Sequence, residues 1–419
     1  MCGIGGIAFN DFNTLAEETR IENMMRMLVH RGPDEEGKVI RPGAALGFRR
    51  LSIIDLETGN QPISNEDKSI FTVCNGEIYN YRELTNRLKG LGHHFRSASD
   101  AEVIVHLYEE YGPDFVKHLR GMFAIALWDT GHRELLLARD RLGIKPLHYA
   151  LTPEGILFAS EQKAILADPS VSRDLDVNAL RDVFSFGFIP GDQTLFKKIR
   201  RMPPASLMSF KQGRVRMETY WQLDLHREAS GEGKKYTEGD WAAIVRDKLT
   251  ESVKCHLMSD VPVAAWLSPG IDSSAIVATM KRLGQMPAET FTLQCEDPSA
   301  DEVSDNPVLS QFPGFQDIPN RLVTLKRESL GLIEEVVWHE EDPFTSATEF
   351  ASMTLSRAAG KDYKVVMTGE GSDEVFGGYT WYRAQKVLKP FLYLPHSIRR
   401  LMTSFPGFRN RRPGASGFL

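Results

Sequence analysis

The sequence predicts two architectures in one chain: an α+β half built on antiparallel sheets up to about residue 215, and an α/β half with a doubly wound parallel sheet from about residue 241. Short runs rich in branched and aromatic residues dominate the first half. A polar, aperiodic stretch at 226–240 follows them, and beyond it continuous apolar runs alternate with helical patterns. A length of 419 residues accommodates two or three such domains.

Taken in order, 69–74, 122–128, 134–138 and 155–159 read as strands of a largely antiparallel sheet. Between them, Leu84, Leu88 and Leu91 share one face of a predicted helix, and Val103, Leu107 and Tyr111 recur at spacing four on a second. Ser99 and Glu102 are expected to form a capping box that opens the second helix. The linker is placed at 216–240. After it, 261–267 predicts a buried strand, then a turn and a helix over 275–281, with further strands at 290–295 and 364–367. Prolines among arginines from Leu388 onward predict a peripheral tail. No repeat of 20 to 50 residues is present.

Composition excludes several functions. Fifty Lys and Arg against 56 Asp and Glu give a net charge of -6 without a long block of either sign, so neither nucleic acid nor an anionic membrane is an expected partner. The longest apolar stretch, 122–128, is far short of the roughly 18 residues a membrane span needs. The first cation is Arg20, so no secretory leader is expected. Cys2, Cys74, Cys255 and Cys295 make no disulfide framework and no paired metal-ligand spacing, which predicts a reducing, cytoplasmic compartment.

Cys2 carries the first chemical signal. Removal of Met1 would put a thiol and a free α-amine on one residue, and an amine of pKa near 8 is neutral often enough to take the thiol proton without a His or Asp partner. The neighbouring motifs are Met1-Cys2-Gly3-Ile4-Gly5-Gly6-Ile7, His30-Arg31-Gly32-Pro33-Asp34, Arg49-Arg50-Leu51-Ser52-Ile53-Ile54-Asp55 and Asn75-Gly76-Glu77-Ile78-Tyr79-Asn80. Arg139-Asp140-Arg141-Leu142-Gly143-Ile144-Lys145-Pro146 and Phe158-Ala159-Ser160-Glu161 continue the series. Together they resemble the class II glutamine amidotransferases, and within that group the asparagine synthetase family.

The resemblance implies an Ntn-type layered sandwich, antiparallel sheets between helices. It implies Cys2 as nucleophile, with Asn75 and Gly76 as oxyanion donors on a turn just after the strand ending at Cys74. It implies a glutamine slot formed by Arg50 against the α-carboxylate, Glu77 and Asp100 against the amine, and backbone of Ile53 and Ile54. Taken singly, Arg50 reads as a surface cation, Asp100 as a first-turn helix charge and Asn75-Gly76 as a hairpin turn. Phe48 stands where many relatives carry His. Met24, Met25 and Met27 are read as core filler, and His93-His94 as loop polarity.

In the second half, Leu267-Ser268-Pro269-Gly270-Ile271-Asp272-Ser273-Ser274 joins an apolar strand to a helix. Such a loop can offer donors to a phosphate, and it lacks the Gly-Lys-Ser/Thr ending of a Walker A loop. It resembles the Ser-Gly-Gly-x-Asp-Ser pyrophosphate loop of enzymes that cleave ATP between the α and β phosphates, with Pro269 in place of a residue that has an N–H. Thr368-Gly369-Glu370-Gly371-Ser372-Asp373 opens the matching second signature. The resemblance implies ATP and Mg2+ as cofactors: Ser268, Gly270 and Ser273 around pyrophosphate; backbone of Leu267, Leu293, Thr368 and Gly369 around the nucleoside; Asp272 and Asp373 on the metal; and Glu370 as general base. Asp342-Pro343-Phe344 resembles a segment near the acceptor pocket. A homodimer is also implied.

Two departures bear on the acceptor side. Pro298, Pro307, Pro313 and Pro319 crowd a region where relatives carry a helix, and the chain closes at Leu419 where relatives continue and supply a lysine that neither Lys386 nor Lys389 matches. A shortened synthetase half is therefore expected. The favoured function is glutamine-dependent asparagine synthesis from aspartate and ATP. Amidation of a different carboxylate, such as a sugar or natural-product acid, and a glutaminase or regulatory relative with an inactive synthetase half stand as alternatives.

Overall fold

A computed structural model describes residues 1–224, 236–296, 314–344 and 346–382, with 385–386, 389 and 393–395. Two six-stranded antiparallel sheets build the first half. The strands are β1 (Gly3–Phe9), β2 (Glu35–Arg41), β3 (Ala44–Arg50), β4 (Ile63–Ser64), β5 (Ile70–Ile78), β6 (Gly121–Asp129), β7 (Glu134–Arg139), β8 (His148–Leu151), β9 (Gly155–Ala159), β10 (Ile199–Arg201), β11 (Ser206–Lys211) and β12 (Arg214–Thr219). One sheet runs β10-β8-β9-β1-β3-β2 and the other β12-β11-β7-β6-β5-β4.

The alternation of each strand decides the layering. On β5, Phe71 and Val73 point between the sheets, where they meet Ile4, Phe48, Leu137 and Phe158. Ile70, Cys74 and Ile78 point outward, under α2 (Tyr81–Gly90), α3 (Val103–Tyr111) and α4 (Phe115–His118), where they meet Leu84, Leu107 and Phe115. On the far side, α1 (Glu18–Arg26) and α5 (Gln162–Leu166) cover the other sheet with Ile21, Met24, Met25 and Ile165. Helix, sheet, sheet, helix is the predicted Ntn-type sandwich.

Several local expectations need correction. Asn75 and Gly76 lie inside β5, opposite Ala124 and Phe123 of β6, and not on a turn after it. Leu91 caps α2 and is exposed, so only Leu84 and Leu88 of that face are buried. The Ser99 capping box does not form: Ser99 Oγ accepts from Ala101 N at 3.3 Å, whereas the Glu102 carboxylate turns back to the N–H groups of Arg96 and Ser97, each at 2.7 Å. The expected boundary at 215 falls inside β12, which pairs with β11 along its whole length. The expected end of the linker at 240 falls inside α7 (Glu238–His256), which follows α6 (Val177–Phe186) and whose Thr237 and Asp240 make a reciprocal capping box. Residues 225–235, the core of the predicted linker, lie outside the described residues, as do Pro298, Pro307 and Pro313.

In the second half, β13 (Val263–Trp266), β14 (Thr290–Cys295), β15 (Asn320–Leu325) and β16 (Val365–Met367) form a parallel sheet in the order β15-β14-β13-β16. Helices α7 and α8 (Ile271–Arg282) bury Val253, Val277 and Met280 on one face. Helix α10 (Thr348–Ala359), which follows α9 (Ile333–Glu340), buries Leu355 and Ala359 on the other. Chain order reverses between β13 and β16, which opens a crevice at their C-terminal ends, where ligands of such sheets bind.

The halves meet through matched polar groups. Asp55 N donates to Asp260 Oδ2 at 2.8 Å, Asp260 N donates to Ile53 O at 2.9 Å, and Lys364 Nζ pairs with Asp34 Oδ2 at 2.6 Å. The N–H groups of Gln162 and Lys163 each reach the Glu341 carboxylate at 2.6 Å.

Candidate active site

Cys2 immediately precedes β1, and its side chain packs against the apolar layer between the sheets. Asn75 is two residues beyond Val73 on β5, so period two turns its side chain to the same layer. Both line a cavity of about 230 Å³, together with Ile53, Gly76, Glu77 and Lys145. The nitrogen Nδ2 of Asn75 is buried and, among the described residues, has no hydrogen-bond partner. A buried amide donor left over in this way costs free energy unless a ligand uses it. Gly76 lets the strand pass here, because a Cβ would lie 2.0 Å from the Met122 carbonyl oxygen.

Burial disfavours charge on the groups around this cavity. Burial pushes the Cys2 thiol up; Leu51 N donates to Sγ at 3.4 Å. Burial, with Arg31 and Lys145 nearby, lowers the Met1 amine to about 5. Burial also lowers Lys145. It raises Asp100 to about 6, and it raises Glu77 strongly, with Asp100 adding repulsion. Glu77 and Asp100 thus form a buried acidic pair that would gain charge from an incoming ammonium group.

The opposite wall of the same cavity belongs to the second half: Cys255, His256 and Met258 after and within α7, and Lys364, Val365 and Val366 at β16. From β16 the chain runs into Thr368 and Gly369, beside the loop that follows β13. A Cβ on Gly369 would meet Ser273 N at 2.8 Å and Asp272 Cβ at 3.0 Å, so the two loops are in contact. The first loop is closed on itself: Ser273 Oγ accepts from Ser268 N at 3.0 Å and lies 2.9 Å from Ser268 Oγ, which accepts from Gly270 N at 3.2 Å. Among the described residues no cation pairs with Asp272 or Asp373, which begin α8 and the short α11 (Ser372–Phe376). Two unpaired carboxylates on touching loops suit a hard divalent cation.

Residues 1–221 match the glutamine amidotransferase domain family, and residues 244–414 match asparagine synthase. The chain belongs to the glutamine-hydrolysing asparagine synthetase family. It is 36% identical over 406 residues to asparagine synthetase [glutamine-hydrolyzing] 1 of Bacillus subtilis, covering 96% of this chain and 62% of that protein. It is 32% identical to synthetase 3 of the same organism, covering 96% and 67%. It is also 36% identical to amidase chyE of Penicillium rubens, covering 91% and 58%. The chain spans about three fifths of the length of the first and third of these relatives.

For this family member, the fold brings Cys2, Ile53, Asn75, Gly76 and Glu77 to one cavity. Arg50, Ile54 and Asp100 do not line it. Arg50 is almost fully buried and bound to Glu35 at 2.7 Å and to the carbonyls of Ile54 and Asp55, so it fixes the 53–55 loop. Asp100 Oδ2 accepts from Ile78 N at 2.7 Å. Leu267 has its backbone engaged on both sides, N–H to Phe291 O and C=O to Thr292 Oγ1, whereas Leu293 packs its side chain against the sheet core. Thr368, Gly369 and Glu370 follow β16, with Gly371 at positive φ turning the chain into α11. Asp342 sits at the junction of the halves, paired with Arg201 and accepting from Gln162 Nε2 at 3.2 Å.

Sequence reasoning missed Lys145, Tyr79, His256 and Lys364 as cavity residues. Lys145 and Tyr79 were in motifs already singled out, whereas His256 and Lys364 carry no local signal. Among the described residues no helix is long and apolar enough to cross a membrane.

Proposed function

We propose that the chain hydrolyses glutamine at Cys2 and delivers the ammonia to an ATP-activated carboxylate, with aspartate as the favoured acceptor. The products are then glutamate, asparagine, AMP and pyrophosphate. The observation that carries the reading is the single cavity with Cys2 and Asn75 on one wall and β16 of the ATP-type sheet on the other.

The steps follow from the residues. With Met1 removed, the Cys2 amine would lie beside the same Arg31 and Lys145 that, with burial, lower the Met1 amine, and as a neutral amine it takes the thiol proton. The thiolate attacks the glutamine amide, and Asn75 Nδ2 with the Gly76 N–H receive the oxyanion. Ammonia leaves with the shuttled proton, and water then cleaves the thioester to glutamate. Glu77 holds the glutamine amine with the Asp100 charge behind it, and Arg50 acts on the α-carboxylate through the 53–55 loop that it fixes. In the other half the acceptor carboxylate displaces pyrophosphate from the α-phosphate of ATP. Ammonia then attacks the acyl-adenylate, losing its proton to Glu370, and AMP departs. Magnesium held by Asp272 and Asp373 would supply positive charge against the pyrophosphate. Enclosing both steps keeps ammonia from protonation in bulk water.

A second reading delivers the same nitrogen to a different acid. It is favoured by the identity to the Penicillium protein named an amidase, which equals that to the Bacillus synthetase 1. Incubation with glutamine, ATP and Mg2+ against a panel of acids, with pyrophosphate and amide product measured, separates the two. Cys2→Ala should abolish glutamine-dependent synthesis and spare ammonia-dependent synthesis; loss of both contradicts the division of labour. Light scattering tests the homodimer that family resemblance implies.

A further inference from the structure

Away from the Cys2 cavity, on the outer helical layer of the glutaminase half, four side chains from three segments converge. Glu66 comes from the turn after β4, His93 from the loop after α2, and His106 and Glu109 from α3. One ligand atom of each lies within 4.8 Å of all the others. His106 Nδ1 is 3.1 Å from Glu109 Oε2 and 3.7 Å from Glu66 Oε2, and His93 Nδ1 is 3.4 Å from Glu109 Oε2. A tetrahedral ion with bonds of about 2.0 to 2.1 Å separates its ligand atoms by about 3.4 Å, which is where these spacings centre.

The outward nitrogens carry the second half of the argument. His93 Nε2 is 3.0 Å from Glu110 Oε1. His106, 1% exposed, turns Nε2 toward Glu102 Oε1 at 3.8 Å, and that nitrogen has no hydrogen-bond partner among the described residues. Glu102 is itself held by the N–H groups of Arg96 and Ser97. Both imidazoles present Nδ1 to the cluster; on His93 the outward Nε2 is held by Glu110, the arrangement that fixes metal-binding histidines in their ligating tautomer, whereas the His106 Nε2 only faces Glu102. Four carboxylates, those of Glu66, Glu102, Glu109 and Glu110, surround the two imidazoles, and a dication among them would offset their charge.

We propose that Glu66, His93, His106 and Glu109 form a structural site for a divalent cation of the zinc class. Bound metal would clamp the α2–α3 connection, which carries Asp100 to its place behind the glutamine cavity.

The test uses the full chain carrying Cys2→Ala and Asp373→Asn, so that the nucleophile and the nucleotide site do not compete. Zinc chloride is titrated by calorimetry at pH 7.5 without ATP, and cobalt(II) absorption is recorded. The expected result is one ion per chain, a tetrahedral cobalt spectrum without thiolate charge transfer, and a raised thermal midpoint. His93→Gln and Glu109→Gln, both at partly exposed side chains, should each weaken binding at least ~100-fold, and Glu110→Gln about 10- to 100-fold. Absence of binding at tens of micromolar zinc, thiolate or octahedral cobalt bands, or unchanged affinity in His93→Gln and Glu109→Gln would overturn the proposal.

Discussion

Glu161 offers a perturbation whose magnitude can be worked through. Its buried carboxylate lies 3.1 Å from His30 Nε2, 2.8 Å from Arg31 Nη1 and 2.6 Å from Lys163 Nζ. Burial alone would push it up, but these partners outweigh burial and bring it down from 4.5 to about 2. At about 1.4 kcal/mol per pKa unit, the depression corresponds to about 3 kcal/mol of stability at neutral pH. Because the folded-state value is depressed, that stability is present above the unfolded value near 4.5 and is lost as pH falls toward about 2. Glu161→Gln should therefore cost about 3 kcal/mol in urea unfolding at pH 7, since it leaves the nearly buried Arg31 without its acidic partner and Lys163 with Glu341 alone. The gap between wild type and variant should shrink at pH 3.5. Arg31 Nε also donates to Cys2 O at 3.0 Å, so glutamine hydrolysis should weaken with it. A variant within about 0.5 kcal/mol of wild type at pH 7, or a gap that does not change with acid, would refute the reasoning.

Asn75→Ala removes the unpartnered buried donor and should lower kcat for glutamine hydrolysis about 100- to 1,000-fold while ammonia-dependent synthesis survives, as steady-state assays with each nitrogen source would reveal. The KM for glutamine should rise as pH falls through about 6, where Asp100 takes up a proton, and Asp100→Asn should flatten that dependence between pH 5 and 8. Gly369→Ala puts a methyl against Ser273 N and Asp272, so ATP binding by calorimetry should be lost while glutaminase activity persists.

The two-layered first half and the parallel second half were legible because their periods differ: alternating strands with one face per layer against uninterrupted apolar runs buried on both faces. Strand β1 was less legible, since Gly3, Gly5 and Gly6 carry little strand preference. They are there for closeness: a Cβ on Gly6 would meet Ala45 O at 2.5 Å. Strand β15 escaped notice next to the proline-dense segment. Asn75-Gly76 read as a turn because that pair favours one in isolation, yet nine residues of pairing with β6 hold it in a strand. His93 read as loop polarity because its partners come from Glu66 and from α3, far along the chain.

By itself, the sequence determined the family and singled out Cys2 and the two loops of the second half, because these are contiguous motifs whose chemistry is written in neighbouring residues. Only the tertiary structure decided that Lys145, His256 and Lys364 share a cavity with Cys2, that Arg50 holds the 53–55 loop from outside that cavity, and that His93 and His106 face the same carboxylate. Those relations join segments far apart in the chain, and they exist only once burial of the cores has fixed where each strand and helix lies.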